Sequence, residues 1–328
     1  MVRSLVLLGL ASVASALSAN IRLEDFDYPF PEQTYTFESQ QQELEMVYMD
    51  VPAKGEPQGT VLLLHGKNFS GSYFEQTAEQ LSQAGYRVVI PDQIGFGKST
   101  KPEHYQYSFQ QLATNTHELL KQLGVDEAHV LGHSMGGMVA TRYALMFPDE
   151  TVTLTLMNPI GLEDWKAKGV PYQPIDEGYQ EELNKTPEQI RQYQLEFYYD
   201  GQWKEAYDPW VEQLTSFIEG DDYPRMAWNQ ALTSDMVFTQ PVVYEFGDIE
   251  APTLLIIGQR DRTAIGKGRA SKEDQQDLGN YPKLGRAAKK AIPDAKLVEL
   301  DGIGHLPHIE AFDRFFPPYR KFLDRHAE

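Results

Sequence analysis

The chain has 328 residues, a length sufficient for one large domain or for a domain with an inserted subdomain, and 41% of its residues are hydrophobic and 12% aromatic, as in a globular protein with a core. Its formal net charge of -19 at pH 7, from 48 acidic and 29 basic residues, argues against nucleic acids and anionic membrane surfaces as partners, because both require basic patches. It contains no cysteine, which excludes disulfides, thiol nucleophiles and thiolate metal sites.

The N-terminus is typical of a secretory signal peptide. Arg3 precedes an apolar segment at residues 5–13, and small residues follow, with candidate cleavage points after Ala16 and after Ala19. The apolar segment is too short to span a bilayer comfortably. We therefore expect a signal peptide over residues 1–19, a secreted or periplasmic protein, and no stable membrane insertion after cleavage.

Strands and helices alternate along most of the chain that follows. Residues 20–42 look like an exposed lead-in with prolines and a glutamine run. The predicted strands are at residues 43–51, 60–66, 86–90, 128–131, 151–157, 253–258 and 295–300, the first of them an edge strand. The predicted helices are at residues 72–83, 108–123, 138–147, 284–291 and 312–326. This alternation predicts an α/β fold with a doubly wound, mostly parallel sheet.

Residues 160–246 interrupt that alternation and differ in composition. They contain all four tryptophans, many tyrosines and an excess of acidic residues, and helical periodicity is visible at 187–199 and 210–218. We expect a mostly helical lid inserted between a core of residues 20–159 and its continuation at 247–328. A separate C-terminal domain is the alternative, but apolar strands resume after the interruption and complete the same sheet.

One serine lies where a predicted strand turns directly into a helix. Residues 132–136, Gly-His-Ser-Met-Gly, fit the G-x-S-x-G pattern of a nucleophile elbow. Glycines two residues before and after Ser134 allow the strand and helix to pack closely around a strained turn. We expect a nucleophilic Ser134, with the N–H of Met135 aimed at the position of a developing oxyanion. A chance match in a glycine-rich loop is the alternative.

A serine hydroxyl needs a base at neutral pH, and His305 is the best candidate. It follows the last predicted strand, so its imidazole can face the elbow across the sheet edge. His308, three residues later, is the second choice. His133, next to the serine, is expected to point away from the hydroxyl and to have a packing role.

The best candidate for the acid that orients this base is Asp261, which also follows an apolar strand. The order Ser134, Asp261, His305 is the order expected for an elbow fold. A solvated carboxylate paired with Arg260 or Arg262 is the alternative interpretation of Asp261. Asp92 is better suited to capping its glycine-rich loop, and Asn158 cannot be an acid. The weaker carboxylate candidates are Asp235 and Asp301.

The second oxyanion donor is expected from the loop after the strand at 60–66. Gly66 allows a tight backbone there, so the N–H of Lys67 is the candidate, with Asn68 adjacent. His65 is expected to order this loop through a hydrogen bond. No dinucleotide, phosphate-loop or H-E-x-x-H motif occurs, so the sequence predicts no cofactor and no metal.

Taken together, these motifs resemble the α/β-hydrolase superfamily over about residues 45–325, nearly the whole mature chain. The matching segments are 65–66, 92–99, 132–137, 258–261 and 304–305. The resemblance implies the α/β-hydrolase fold, a mostly parallel eight-stranded sheet with an inserted helical lid. Haloalkane dehalogenases and epoxide hydrolases need an aspartate at the elbow, which Ser134 disfavours. Lys67 and Asn68 depart from the small or aromatic residues that many relatives carry there.

The expected function is hydrolysis of an ester or related carbonyl compound, a small molecule, through Ser134, His305 and Asp261. The closest-looking branches are carboxylesterases and hydrolases that cleave carbon–carbon bonds in aromatic ring-fission products. An aminopeptidase remains an alternative, because the acidic lid could bind a substrate amine. A non-catalytic small-molecule-binding protein on the same scaffold is the alternative from another class.

Overall fold

A single mixed sheet of eight strands forms the centre of this computed structural model, which describes residues 21–327. The strands are β1 (Glu32–Ser39), β2 (Gln42–Val51), β3 (Thr60–Leu64), β4 (Arg87–Pro91), β5 (Ala128–His133), β6 (Thr151–Met157), β7 (Thr253–Gly258) and β8 (Ala295–Leu300). They lie in the order β1-β2-β4-β3-β5-β6-β7-β8. The first two pairings are antiparallel and the remainder are parallel. The expected mostly parallel eight-stranded sheet is confirmed.

Strand β1 corrects the prediction that residues 20–42 form an exposed lead-in. Glu32–Ser39 pairs along its whole length with Gln42–Val51, so β1 is the edge strand and β2 lies between β1 and β4. Gln40 and Gln41 make the connecting turn with φ values of 53° and 62°. Glycine or asparagine ordinarily marks such a turn, and neither is present here. The predicted signal peptide, residues 1–19, lies outside the described residues.

Eleven α-helices are found in residues 21–327. Those before β6 are α1 (Glu75–Gln83), α2 (Phe109–Gln122) and α3 (Met135–Met146). Those between β6 and β7 are α4 (Ile175–Leu183), α5 (Pro187–Phe197), α6 (Asp208–Ile218) and α7 (Tyr223–Thr239). Those after β7 are α8 (Asp274–Asp277), α9 (Tyr281–Ala291), α10 (Pro307–Glu310) and α11 (Phe312–Leu323). Within the described residues, no helix is long and apolar enough to cross a membrane.

The central parallel strands are covered on both faces, which explains their continuous apolar sequences. All residues of β5 and of β7 are buried. Alternate residues of each strand contribute to two separate hydrophobic clusters: Leu62 and Leu64 belong to one, and Val61 and Leu63 belong to the other. A parallel sheet fixed in this way aligns the carboxyl ends of β3, β5, β7 and β8 along one edge.

We call residues 160–246, which contain α4 to α7, the insertion. Hydrogen bonds join it to the loop after β3 at three successive points. Lys67 Nζ donates to Gln230 Oε1, Asn68 Nδ2 donates to the Tyr198 hydroxyl at 3.1 Å, and Ser70 N donates to Gln213 Oε1 at 3.1 Å. The N-terminal Leu23 is fully buried against Phe217 and Met226 of α6 and α7. The insertion is therefore bonded to the same sheet edge where the candidate residues lie.

Candidate active site

Ser134 occupies a strained turn between β5 and α3, with φ of 55° and ψ of -120°. A Cβ atom on Gly132 would lie 2.1 Å from the carbonyl oxygen of Gly136. A Cβ atom on Gly136 would lie 2.1 Å from the carbonyl oxygen of Leu64 in β3. Both glycines are thus required by close backbone packing, and the strain at Ser134 is maintained by that packing.

The side chains of Ser134, His305 and Asp261 form one hydrogen-bonded chain. The Ser134 Oγ lies 2.9 Å from Nε2 of His305, and Nδ1 of His305 lies 2.6 Å from Oδ2 of Asp261. Because a carboxylate only accepts, Nδ1 carries the proton and Nε2 is free to accept from the serine hydroxyl. Ser134 is 7% exposed and the other two side chains are 1% and 0% exposed. The arrangement can abstract the hydroxyl proton in a site largely shielded from water.

The Asp261 carboxylate is fully buried, and donors surround it. Burial alone raises its pKa, but the charge and hydrogen bond of His305, together with two further donors, outweigh burial and hold the pKa below its usual value. The further donors are Thr263 N, at 2.8 Å from Oδ1, and Asn158 Nδ2, at 2.8 Å from Oδ2. Neither neighbouring arginine pairs with this carboxylate within the described chain: Arg260 contacts Glu310, and Arg262 donates to backbone carbonyls. The aspartate therefore remains ionised at neutral pH.

The remaining candidate histidines make contacts other than with the serine. His308 is buried, and in the described part of the chain neither of its ring nitrogens has a hydrogen-bond partner. The ring nitrogens of His133 bond to the Tyr73 hydroxyl and to the backbone oxygen of His305, each at 2.8 Å. His65 accepts from Gln93 N at 3.0 Å and bonds to the Gly66 carbonyl at 2.9 Å, as the prediction of a loop-ordering role requires.

Asp92 caps its glycine-rich loop, which is the role that the sequence predicts for it. Its carboxylate accepts from the backbone N–H groups of Gly71 and Lys98, each at 2.7 Å, and from the Tyr28 hydroxyl at 2.6 Å. A Cβ atom on Gly97 would lie 2.1 Å from this carboxylate. Asp92 therefore orders the glycine-rich loop, and its acceptor sites are used there.

The two candidate oxyanion donors lie at the start of α3 and in the loop after β3. Met135 is the first residue of α3, so its N–H has no partner within the helix. No hydrogen bond joins the Lys67 N–H to another residue in the range 21–327. A Cβ atom on Gly66 would lie 3.0 Å from the Ser134 Cβ, so the loop and the serine are in direct contact. Two free backbone donors beside a nucleophile can stabilise an oxyanion.

A cavity of about 510 Å³ opens onto Ser134 and His305. Its apolar lining includes Ile160, Ile190, Leu214, Phe217, Met226 and Ile265. Its polar lining includes Lys67, Glu182, Lys185 and Gln230. The volume lies in the range of small-molecule sites, and most of the wall is contributed by the insertion.

Three residues around the site went unrecognised in the sequence. Tyr198, just after α5, stacks on the His305 ring with centroids 5.0 Å apart and planes 20° apart. Asn158, dismissed as an acid, instead holds Asp261 and accepts from Gly258 N at 2.9 Å. Tyr73 bonds to both Gly66 and His133. Asn158 could have been recognised from the sequence, because it follows β6 directly and therefore lies at the edge of the sheet where the site is. Nothing in the sequence marks Tyr73 or Tyr198 as site residues.

No group of three or more histidine, aspartate or glutamate residues able to hold a metal ion occurs between residues 21 and 327. The site is instead composed of one hydroxyl, one imidazole, one carboxylate and backbone donors. These groups can perform nucleophilic attack on a carbonyl carbon and stabilise the resulting charge.

Comparisons with known proteins agree with this architecture. A crystal structure of a probable hydrolytic enzyme from Pseudomonas aeruginosa PAO1 is 52% identical, with a TM-score of 0.90, and the match covers 92% of this chain and 96% of that one. Lipase 1 of Psychrobacter immobilis is 28% identical over 272 residues, 82% of this chain and 77% of the lipase. A 2-hydroxy-6-oxo-6-phenylhexa-2,4-dienoate hydrolase of Burkholderia cepacia is 28% identical over 231 residues, 66% of this chain and 75% of that one. The model of the alpha/beta hydrolase fold family matches residues 59–312. The predicted resemblance is confirmed, and the chain belongs to the alpha/beta hydrolase fold family.

Proposed function

We propose that this protein is a serine hydrolase that cleaves carboxylic esters through an acyl-enzyme intermediate. The observation that carries the proposal is the 2.9 Å contact between the Ser134 hydroxyl and His305 Nε2, with Asp261 on the other ring nitrogen at 2.6 Å. Hydrogen bonding in this order activates a serine hydroxyl at neutral pH. Lipase 1 of Psychrobacter immobilis, similar over most of the chain, supports an ester as the substrate.

In the first half-reaction, His305 Nε2 removes the proton of Ser134 as Oγ attacks the ester carbonyl. Asp261 holds the ring in the Nδ1–H tautomer and stabilises the imidazolium that forms. The N–H groups of Met135 and Lys67 stabilise the oxyanion, each by about 3 kcal/mol in sites of this kind. His305 then protonates the leaving alcohol, and the acyl group remains on Ser134.

In the second half-reaction, His305 accepts a proton from water as the water attacks the acyl-enzyme. The same two N–H groups stabilise the second oxyanion, and His305 returns the proton to Ser134 as the carboxylic acid departs. The apolar lining of the cavity suits the acyl chain, because burying it removes apolar surface from water.

A carbon–carbon bond hydrolase is the second candidate. The observation that favours it is the similarity to the Burkholderia cepacia dienoate hydrolase over 231 residues. Such a reaction uses the same hydroxyl and oxyanion donors on a ketone carbonyl, and it differs in the leaving group. Substrate comparison therefore distinguishes the two activities.

Steady-state turnover of p-nitrophenyl esters of increasing acyl length tests the proposal. The protein and its Ser134→Ala variant are compared, with circular dichroism to establish that both are folded. We expect turnover with an optimum set by the 510 Å³ cavity, and its loss in Ser134→Ala. Absence of turnover across the series, with the fold intact, would contradict ester hydrolysis. Cleavage of a ring-fission dienoate would then show that the protein is a carbon–carbon bond hydrolase. Tight binding of a small molecule without turnover would show that it is a non-catalytic binding protein.

A further inference from the structure

Lys67 places a positive charge in the same cavity as the proposed nucleophile. It follows Gly66, whose Cβ position lies 3.0 Å from the Ser134 Cβ, and its own side chain lines the cavity. Lys67 Nζ donates to the amide oxygen of Gln230 on α7. The ammonium group is therefore one lysine side chain away from the backbone N–H proposed to bind the oxyanion.

This ammonium group lacks an anionic partner. Within residues 21–327, no carboxylate oxygen lies within 4.0 Å of Lys67 Nζ, and Gln230 supplies a neutral acceptor for one of three N–H groups. Glu182, a cavity carboxylate whose charge acts on Lys67, is paired with Lys185 at 2.6 Å. Two donors of a cavity-lining cation thus remain available to a bound molecule.

Burial lowers the pKa of Lys67 to about 8, although the charge of Glu182 opposes this shift. The group remains mostly protonated at pH 7. Lys67 is half-buried, and a cation partly removed from water without a directly paired carboxylate costs free energy, which an anion that enters the cavity offsets. The cavity is lined by two lysines, and Lys185 is already paired with Glu182, so Lys67 is the one whose ammonium group is left for an anionic group of the substrate.

We propose that the cavity accepts esters whose acyl chain ends in a second, ionised carboxylate, and that this carboxylate binds the Lys67 ammonium group. The inference rests on the proposed function, because it places the scissile carbonyl at Ser134. Because the proposed oxyanion donor and the ammonium group belong to the same residue, the acyl chain that joins their two partners is short, and adipyl is the chain chosen for the test. A charge-assisted hydrogen bond of this kind is stronger than a neutral one.

The test compares two substrates of equal shape, monoethyl adipate and its monoamide, in which a neutral amide replaces the carboxylate. The released acid is measured by titration. We expect kcat/KM to favour the adipate by about 10-fold, which Lys67→Met abolishes and Lys67→Arg preserves. Both substrates are measured on every variant, and the ratio of their kcat/KM values is compared, so that any change in the absolute rate common to both substrates cancels.

Lys101→Met is the matched control. Lys101 is a buried lysine that, like Lys67, has no carboxylate partner in the described chain, but it donates to the Gly97 carbonyl and does not line the cavity. This variant removes the same side-chain amine at a position outside the cavity and should retain the preference for adipate. A wild-type protein that cleaves both substrates equally, or a preference that survives Lys67→Met, would overturn the proposal.

Binding separates this inference from the proposed function. Monoethyl adipate is titrated calorimetrically into Ser134→Ala and into Ser134→Ala with Lys67→Met. We expect the second variant to bind about 10-fold more weakly, whether or not the wild-type protein hydrolyses any ester. Equal affinity would overturn the carboxylate site, whereas absent hydrolysis with the expected difference in affinity would contradict only the ester reaction.

Discussion

The hydroxyl of Tyr73 lies 2.8 Å from Nδ1 of His133, and this bond links three loops of the candidate site. Gly66 N donates to the same hydroxyl at 2.8 Å, so the hydroxyl proton is directed to His133. Nε2 of His133 then donates to the backbone oxygen of His305 at 2.8 Å. Burial, with the charges of His305 and His308, holds the pKa of His133 well below its usual value, which keeps the ring neutral. The loop after β3, the elbow and the histidine loop are thereby joined.

Tyr73→Phe should reduce kcat and leave KM little changed. The phenyl ring keeps its stacking on Phe69, whose ring centroid is 4.8 Å away, but the buried Gly66 N–H and His133 Nδ1 lose their partner. An unsatisfied buried group costs about 1–3 kcal/mol, so we expect kcat to fall about 10-fold. Steady-state kinetics with a p-nitrophenyl ester measures the effect.

The matched control is Tyr319→Phe. Tyr319 is fully buried, and its hydroxyl has no hydrogen-bond partner among residues 21–327. Removing it deletes the same atom without breaking this chain of bonds, so kcat should be unchanged. An equal loss of kcat in both variants, or a rise in KM alone for Tyr73→Phe, would contradict a positioning role for Tyr73.

Substitutions in the candidate triad should act as a unit. Ser134→Ala, His305→Ala and the double variant should each lower kcat by about 10⁴-fold or more, and the double variant should be hardly worse than either single one. The reason is that the hydroxyl and the imidazole act through one proton transfer across 2.9 Å. Single-turnover measurements provide the rates. Additive losses would show that the two side chains act independently.

The site residues that could be predicted from the sequence are those that follow a strand. Ser134, Asp261 and His305 each follow a predicted strand, and a parallel sheet brings such strand ends to one edge whatever the loops do. Contacts made by single side chains from distant segments were not predictable in this way. Tyr73 and Tyr198 belong to local patterns typical of ordinary helix turns, and only the tertiary structure brings them to His133 and His305.

Gly136→Ala should lower the free energy of unfolding and impair turnover together. Its Cβ would lie 2.1 Å from the Leu64 carbonyl oxygen, and backbone on both sides leaves no flexible group to move. We expect a loss of about 2 kcal/mol or more in urea unfolding. Gly268→Ala is the control, because nothing lies within 4 Å of that Cβ position, and its effect should stay within about 0.5 kcal/mol. A fully stable, active Gly136→Ala would contradict the packing of α3 against β3.

His308→Phe should retain turnover and reduce the loss of stability in acid. His308 lies among aromatic rings with neither nitrogen hydrogen-bonded in the described residues, and burial, with the charge of His305, lowers its pKa to about 3. An unfolded histidine has a pKa of about 6.5, so the unfolded chain takes up this proton first as the pH falls. The stability due to neutral His308 is therefore complete above pH 6.5 and is lost progressively between about pH 6.5 and 3. Urea unfolding gives the free energy of unfolding at pH 7.5 and at pH 5. We expect this free energy to fall between the two pH values by about 2 kcal/mol less in the variant than in the wild type. Loss of ester turnover in a folded His308→Phe would instead identify His308 as the base.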